Sequence, residues 1–454
     1  MTTQARQAHL AAADAPIQDT DVLVIGGGPA GTTAATLLAR KGWKVVLLEK
    51  ARHPRFHIGE SLLPMNLPIL ERLGVLEQVR AIGVHKVGAD FPVPNAGGDI
   101  HVFRFERAID PQYDYAFQVR RDEFDRLLFD HARANGVDAR EEVTVERVEF
   151  EGERPRTALA RDKAGNAQVF GFRYLVDASG RDTFLGNKLK LKRRSRRHQS
   201  AAIFSHFRGV IRRDGADAGN ITVDRFEHGW YWLIPLPDDV MSVGAVCFPE
   251  YLKQRRGDNE TFLMQTLQAR PSVWARMGDA ERIAPVHATG NYSYTCSRMA
   301  GPGWVMAGDA YAFVDPVFSS GVYLGMHSAE HAVEVVDGVL REPGSETSLQ
   351  RAMEKRLKRG LGHFSWFIHR FTTPVMQHLF AHPRNDLQLE QAVISMLAGD
   401  VFDNRAVLRR LRLFRLLYAA NALRMAPRAL RGWLDRRRQI GQAFNGDTLQ
   451  AENP

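Results

Sequence analysis

The first 50 residues alternate between apolar runs and a glycine-rich break in an order that predicts one supersecondary unit. Residues 21–25 form a short apolar run, and residues 26–31 contain four glycines. An Ala- and Leu-rich stretch with helical spacing follows to Arg40, and residues 44–48 form a second apolar run that ends at Glu49. This order of strand, glycine-rich turn, helix, strand and acid is typical of a dinucleotide-binding unit.

Beyond residue 60 the apolar positions alternate between strand-like and helical spacing. The pattern predicts helix and loop over 60–83, short strands over 100–119, a helix over 122–134, strands over 143–175, β-rich segments over 201–247, and helices from 348 onward. This order predicts an α/β protein with a Rossmann-like domain built from separated segments, an inserted antiparallel substrate sheet and a helical C-terminal region.

The predicted domain division follows these changes of pattern. It consists of a loose tail over 1–19, the first part of the dinucleotide domain over 20–199 with substrate-sheet strands near 85–120, the sheet domain over 200–290, a return segment of the dinucleotide domain over 291–345, and a helical, Arg-rich region over 346–454.

Composition narrows the class of protein. A chain of 454 residues, 44% hydrophobic and 25% charged, is long enough for two or three domains and typical of a soluble globular protein. No apolar run approaches the roughly 20 residues that span a bilayer, and residues 1–20 lack the apolar core of a signal peptide, so we expect a cytoplasmic protein. The only cysteines, Cys247 and Cys296, form no C-x-x-C pair, so we expect no metal site.

The glycine-rich turn has the spacing G-x-G-x-x-G. Gly26 permits the tight turn, Gly28 lets the backbone approach a pyrophosphate, and Gly31 allows the helix to pack closely on the strand. The phosphates are then expected at the helix N-terminus. Glu49 follows about 20 residues later, where a carboxylate accepts hydrogen bonds from ribose hydroxyls.

Two further motifs resemble the signatures of the large superfamily of FAD-dependent hydroxylases and halogenases. Residues 118–125 read QVRRDEFD, and residues 308–310 read Gly-Asp-Ala. The resemblance implies FAD as cofactor, with Gly308 and Asp309 at the flavin ribityl chain and Arg121 near the cofactor. No second G-x-G-x-x-G is present, so FADH2 is expected to arrive from a separate flavin reductase.

The segment GWYWLIP at 229–235 matches the W-x-W-x-I-P signature of flavin-dependent halogenases. This resemblance implies that Trp230 and Trp232 keep the organic substrate away from the flavin. The C4a-hydroperoxide formed from reduced flavin and O2 then meets only a small halide ion, chloride or bromide, and hypohalous acid results. Bulky rings in a cavity wall suit such exclusion.

A second match, F-x-x-P-x-x-S-x-G, lies at residues 313–321. By resemblance, the backbone N–H groups of Ser320 and Gly321 hold the halide. Backbone donors supply a positive dipole to a small anion without a titrating charge.

Lys86 lies in the block HKVGA at 85–89, downstream of GESLLP at 59–64. Both blocks resemble the tryptophan halogenase superfamily, and most closely its members that act on pyrrolyl or phenolic substrates, including those tethered to carrier proteins. The resemblance implies that hypohalous acid reaches Lys86 through an internal tunnel. There the lysine either hydrogen-bonds the oxidant or becomes a haloamine. Burial can lower the pKa of a lysine and expose a neutral amine.

One position departs from the family pattern. Halogenases of free tryptophan resemble P-x-E-S in the second motif, whereas this chain has Phe318 at the place of the glutamate. A phenylalanine neither orients nor deprotonates a substrate, so the substitution favours rings that a phenol hydroxyl or pyrrole nitrogen already activates.

The C-terminal region is strongly basic and interleaved with leucines. Three interpretations remain open: a solvated face, docking of an acidic carrier protein, or contact with a membrane surface. A nucleic-acid partner is not expected, since no groove-reading motif accompanies the charge. Between residues 405 and 438 the arginines are Arg405, Arg409, Arg410, Arg412, Arg415, Arg424, Arg428, Arg431, Arg436, Arg437 and Arg438, against the single acid Asp435.

Three functions compete with halogenation. An aromatic hydroxylase of the same fold would transfer oxygen without needing Lys86. A lipid reductase of the superfamily would not need the paired tryptophans, and a non-catalytic flavoprotein adaptor would need neither feature. The co-occurrence of Trp230, Trp232 and Lys86 therefore favours an FADH2- and O2-dependent halogenase.

Overall fold

The computed structural model describes residues 16–93, 99–195, 199–290, 293–381, 383 and 385–425. Its helices are α1 (Pro29–Arg40), α2 (Leu67–Leu73), α3 (Leu76–Ile82), α4 (Arg121–Ala134), α5 (Phe184–Lys188), α6 (Pro249–Leu252), α7 (Asn259–Gln268), α8 (Pro271–Met277), α9 (Gly321–Arg341), α10 (Glu346–Ile368), α11 (Pro374–Ala381), α12 (Leu389–Ala398) and α13 (Arg405–Arg424).

The strands are mostly short. They are β1 (Ile17–Ile25), β2 (Val45–Leu48), β3 (Gly83–Lys86), β4 (Gly88–Pro92), β5 (Ile100–Arg104), β6 (Ala116–Val119), β7 (Asp138–Arg140), β8 (Val143–Glu151), β9 (Arg154–Asp162), β10 (Ala167–Asp177), β11 (Lys192–Arg194), β12 (Ala201–Arg208), β13 (Ile221–Phe226), β14 (Gly229–Pro235), β15 (Val240–Cys247), β16 (Glu281–Arg282), β17 (His287–Thr289), β18 (Tyr294–Cys296), β19 (Ala300–Gly301), β20 (Trp304–Met306) and β21 (Ala312–Phe313).

The first sheet has the strand order β19-β20-β10-β1-β2-β7, and β1 pairs in parallel with both β2 and β10. Its central strand is buried on both faces, as expected of an apolar run in a parallel sheet covered by helices. The predicted strand at 21–25 is confirmed and begins earlier, at Ile17, because residues 17–20 pair with residues 169–172 of β10.

Register brings the carboxyl ends of three strands to one level of this sheet. Ile25 is paired with Asp177, and Asp177 is paired with Met306. The loops that follow β1, β10 and β20 therefore meet at the same edge, which is where ligands bind in open α/β sheets.

The second sheet has the order β16-β12-β15-β14-β13-β4-β5. The predicted antiparallel substrate sheet is confirmed over β12 to β15, and the structure adds one parallel pairing, between β13 and β4, with Ile221 opposite Ala89. The β4–β5 hairpin comes from a distant earlier segment and joins the edge of β13 in the same direction, which makes the sheet mixed.

The C-terminal part of the described chain is helical, as predicted. Helix α13 begins at the side-chain cap of Asn404, whose Oδ1 accepts hydrogen bonds from the N–H groups of Ala406 and Val407. No helix in the described part of the chain is long and apolar enough to cross a membrane. Five of the predicted basic residues, Arg428, Arg431, Arg436, Arg437 and Arg438, lie outside the described residues.

Candidate active site

The glycine-rich turn has the geometry that its spacing predicts. Gly26 has a φ of 102°, and a Cβ there would lie 2.3 Å from the carbonyl oxygen of Ala178. A Cβ on Gly31 would lie 1.8 Å from the carbonyl oxygen of Gly26. Gly28 differs, since its nearest neighbour would be a nitrogen of Arg55 at 3.7 Å. Gly26 and Gly31 are thus required by the fold, whereas Gly28 borders open space.

Glu49 directly follows β2, and both of its carboxylate oxygens accept hydrogen bonds. Oε2 accepts a hydrogen bond from the N–H of Gly27 at 2.7 Å, and Oε1 accepts one from the N–H of Ala51 at 2.9 Å. Arg55 approaches Oε2 at 3.5 Å and also contacts Asp125 at 3.3 Å. Sequence reasoning gave Arg55 no role, because its partners lie far apart in the chain.

Arg121 is buried at the start of α4. Its guanidinium donates to both oxygens of Asp125, at 2.8 and 2.9 Å, and to the carbonyl of Ile58 at 2.7 Å. Burial alone would raise the pKa of Asp125, but the charge and hydrogen bonds of Arg121 outweigh it and hold that pKa below its usual range. Arg121 therefore fixes the loop that leads into Gly59 and Ser61.

A cavity of about 400 Å³ lies where the two sheets meet. Gly28 and Glu49 line it from the loops after β1 and β2, Arg121 lines it from the start of α4, and Asp309 lines it from the loop after β20. Burial raises the pKa of Asp309 to about 6, against the charges of Arg181 and Arg121. Within the described ranges, no residue donates a hydrogen bond to its carboxylate. Asp309 thus presents a carboxylate to a ligand in the cavity.

Gly308 precedes this carboxylate and has a φ of 60°. A Cβ there would lie 3.1 Å from the Cα of Gly325 on α9. The left-handed conformation and the close approach of α9 both favour glycine at this position. They place the predicted Gly-Asp pair of residues 308 and 309 against the cavity.

Trp230 and Trp232 project from one face of β14 and line the cavity together with Ile234. Their ring centroids are 5.7 Å apart, and the indole N–H of Trp232 donates to Ser242 Oγ at 3.1 Å. Tyr231 lies on the opposite face, where its hydroxyl donates to the carbonyl of Thr266. Alternation along the strand therefore places both indoles in the cavity wall.

A tight loop leads from the cavity into α9. Residues 316–318 form a single 3-10 turn, and Ser319 follows with a φ of 56°. The main-chain N–H groups of Ser320 and Gly321 have no acceptor among the residues that the structure describes. Both groups stand at the positive end of a 21-residue helix. A small anion beside Gly321, which lines the cavity, would satisfy them.

Lys86 is the last residue of β3 and is 1% exposed. Its Nζ donates to Ser61 Oγ at 2.9 Å and to the carbonyl of Leu62 at 3.0 Å, and it lies 5.4 Å from the centre of the Phe105 ring. Burial lowers the pKa of Lys86 to about 7. Since Ser61 lines the cavity, the amine lies directly behind one residue of its wall.

In the sequence, Glu60 and Ser61 stand out only as members of the block at 59–64 that resembles the family. In the structure Ser61 connects Lys86 to the cavity, and Glu60 lines the cavity while accepting a hydrogen bond from His206 Nε2 at 2.6 Å. The motif at 59–64 indicates that this segment matters, but its spacing does not predict which side chains Glu60 and Ser61 contact.

These features fit a flavin dinucleotide. The open side of Gly28 leaves room for a pyrophosphate, Glu49 stands at the end of β2 for a ribose, and Asp309 offers an acceptor without a described partner. The family model described as FAD binding domain matches residues 19–363. FAD binding thus follows from the site and from the family.

Two curated relatives identify the chemistry. The chain is 38% identical over 351 residues, 76% of its length, to the tryptophan 2-halogenase of Chondromyces crocatus, of which it covers 66%. It is 30% identical over 411 residues, 85% of its length, to the 1H-pyrrole-2-carbonyl-(peptidyl-carrier protein) chlorinase of Pseudomonas fluorescens, of which it covers 90%. The chain belongs to the flavin-dependent halogenases.

The fold of this halogenase also resembles a solved flavoprotein/dehydrogenase from Cytophaga hutchinsonii. The TM-score is 0.83 at 30% sequence identity, over 89% of this chain and 99% of the other. This similarity supports the FAD-binding fold of the halogenase with its second sheet and C-terminal helices. The halogenase is a flavoprotein oxidoreductase, and its curated relatives support activity on aromatic substrates.

Proposed function

We propose that this halogenase delivers an electrophilic halogen to its aromatic substrate through Lys86. The observation that carries the proposal is the burial of the Lys86 amine among neutral acceptors, Ser61 Oγ and the Leu62 carbonyl, directly behind the cavity wall. No carboxylate within the described residues forms an ion pair with Lys86. The ammonium form is therefore disfavoured, and a neutral amine is available near pH 7.

Bound FADH2, together with O2, supplies the oxidation of chloride or bromide to hypohalous acid. The Lys86 amine attacks the halogen of that acid, an N–X bond forms, and the O–X bond breaks with release of water. The aromatic carbon then takes the halogen from nitrogen, and the ring proton restores the amine. Ser61 and Leu62 orient the amine for both steps.

Trp230 and Trp232 are proposed to form the barrier that keeps the aromatic substrate from the flavin. Both indoles lie in the cavity wall and are at least nine-tenths buried, so an aromatic ring does not pass between them without moving one. The Ser320 and Gly321 N–H groups are proposed to hold the halide at the end of α9. Gly26, Gly28, Gly31, Glu49, Arg121, Gly308 and Asp309 are proposed to hold the FAD.

Product analysis across pH tests this proposal. With FAD, NADH, a flavin reductase, chloride and bromide, we expect halogenated products of phenols or carrier-bound aryl groups, identified by isotope pattern in mass spectrometry.

Because the pKa of Lys86 is lowered to about 7, product formation by the amine should rise with pH through 7 and level off above 8. A rate that instead falls as pH rises through 7 would assign the active form to the ammonium. Hydroxylated product without halide would indicate a hydroxylase.

The substrate is proposed to be a phenolic or pyrrole-like ring. Phe318 is buried, and its ring packs at 5.3 Å against Phe371, so this position offers no carboxylate to an unactivated ring. The relatives named above act on tryptophan and on a carrier-bound pyrrole, so family membership alone does not choose between free and tethered substrates.

We also propose that the basic face of α13 docks an acidic carrier protein. Arg405, Arg409 and Arg412 are exposed on this helix, next to exposed Leu416 and Leu423. Arg410 and Arg415 serve the fold instead, since Arg410 bonds the Ala406 carbonyl and Arg415 contacts a ring nitrogen of His363.

Reversing the charges of Arg405, Arg409 and Arg412 should selectively impair turnover of a carrier-bound substrate. The variant Arg405→Glu/Arg409→Glu/Arg412→Glu is expected to raise KM for the carrier-bound ring by about tenfold and to flatten its salt dependence, because steering charges are lost. Turnover of a small free phenol should not change. The matched control reverses the exposed Lys190, Arg193 and Arg194. Equal responses of both substrates, or loss of liposome binding alone, would contradict carrier docking.

A further inference from the structure

Arg225 is a buried cation near the C-terminal end of β13, 6% exposed. Its Nη1 donates to the carbonyl of Phe371 at 3.2 Å, and the guanidinium lies 4.7 Å from the Phe371 ring centre and 5.7 Å from that of Phe380. The neighbouring Asp224 lies on the opposite face of the strand, where Arg270 binds it. Arg225 thus sits against aromatic rings rather than against a carboxylate.

The guanidinium of Arg225 has more N–H donors than there are acceptors around it among the described residues. A guanidinium carries five N–H groups, and within the described ranges only the Phe371 carbonyl accepts from Arg225. Burial lowers the pKa of Arg225 to about 10, so the group remains charged at neutral pH. Asp224 favours the charged form of Arg225 through space, but Arg270 already binds that carboxylate. Binding an anion would offset the remaining cost of burying the guanidinium.

Arg225 is close to the loop that carries the free main-chain donors. In the β13–β14 ladder it is paired with Trp230, so both side chains project from the same face of the sheet. Phe371 bonds Arg225 through its carbonyl, and its ring contacts Phe318 in the loop before Ser320. A single layer of side chains therefore separates the guanidinium from the Ser320–Gly321 turn.

We propose that Arg225 forms a second anion site, which takes a halide ion and supplies it to the turn at Ser320 and Gly321. The inference rests on the proposed function for the halide itself. The surroundings favour a large, weakly hydrated anion, since a guanidinium is itself weakly hydrated and the adjoining rings offer no competing polar group. Bromide should therefore bind more tightly than chloride.

Halide kinetics test the site. Arg225→Met, which keeps an unbranched apolar side chain and removes the charge, should raise the apparent KM for bromide by about tenfold or more and leave kcat at saturating bromide unchanged. Arg225→Lys keeps the charge and should retain most of the bromide affinity. FAD content and halide-free FADH2 oxidation should not change in either variant. The control is Arg208→Met, at an exposed arginine of β12.

Two outcomes would overturn the proposal. If KM for the aromatic substrate rises while KM for bromide is unchanged, the guanidinium binds the organic substrate. If only the melting temperature falls, Arg225 stabilises the fold through its hydrogen bond to Phe371 and does not bind halide. Bromide-soaked crystals give a reading without turnover, because an anomalous peak is expected at Arg225 in the wild type and not in Arg225→Met. The anomalous peak is independent of the proposed function. The proposed function is wrong if the wild type forms no halogenated product.

Discussion

Replacing Lys86 with methionine should reduce halogenated product by about 1000-fold or more, the scale on which enzymes respond to loss of a covalent catalyst. Methionine fills a similar volume but offers no amine. The residues proposed to hold FAD lie on other elements, so FAD content and FADH2 oxidation should remain near wild type. Product by mass spectrometry and flavin oxidation by absorbance measure the two effects separately. Undiminished product formation would disprove the role of Lys86.

Lys86→Arg separates the two chemical forms of the lysine. Arginine keeps a positive charge but does not become neutral in proteins, so it cannot supply the amine. We therefore expect Lys86→Arg to be nearly as inactive as the methionine variant. Substantial activity would favour a charged donor that polarises the oxidant. Lys188→Met, at an exposed lysine on α5, is the control for the substitution itself.

The same methionine variant should be more stable than the wild type below pH 7. The pKa of Lys86 is about 7 in the folded protein and 10.5 for an unperturbed lysine, so the unfolded chain binds the proton more readily between these values. Burial of Lys86 therefore lowers the free energy of unfolding by its full amount below pH 7. This destabilisation becomes smaller as pH rises towards 10.5. Melting temperatures should show a gain in Lys86→Met that shrinks over this range.

Gly28→Val should weaken FAD binding by about 100-fold or more, because even a few kcal/mol of steric conflict has that effect. Gly28 has an ordinary φ of −78°, so valine adopts its backbone conformation without strain. The added carbon atoms would occupy the open side of the turn, where the pyrophosphate is expected. Flavin absorbance of the purified protein and fluorescence titration measure the loss.

A folded apoprotein is the essential observation for this variant. Circular dichroism should match the wild type, in contrast to Gly31→Val, whose Cβ would overlap the Gly26 carbonyl and disturb the fold itself. The control is Gly362→Ala, because an added Cβ on that helical glycine meets nothing within 4 Å. Normal flavin content in a folded Gly28→Val protein would contradict the assignment of the pyrophosphate site.

Local sequence was sufficient to predict the dinucleotide unit. The turn at Gly26 and Gly31 depends on backbone conformation and on contacts within one βαβ unit, so its spacing indicates its geometry. Alternation along β14 likewise placed Trp230 and Trp232 on one face. In each case the physical determinant lies within a few residues, or within one strand–helix–strand segment.

Contacts between distant segments could not be predicted in this way. Arg55 meets Glu49 and Asp125 across two loops, and the parallel pairing of Ile221 with Ala89 depends on how an early hairpin meets a later strand. The environment of Arg225 depends on Phe371, which belongs to the helical region. No local periodicity encodes such pairs, since each depends on the tertiary arrangement of elements far apart in the chain.

Ile25, Asp177 and Met306 are paired at the ends of β1, β10 and β20, which lie far apart in the chain. Parallel strands that are distant in the chain must find one another, and such non-local pairing slows folding. The ribosome must therefore release β20 before the cofactor edge exists, so nascent chains cannot acquire FAD early. Because a ligand that binds only the native state stabilises it by mass action, flavin supply should raise the yield of folded enzyme in cells.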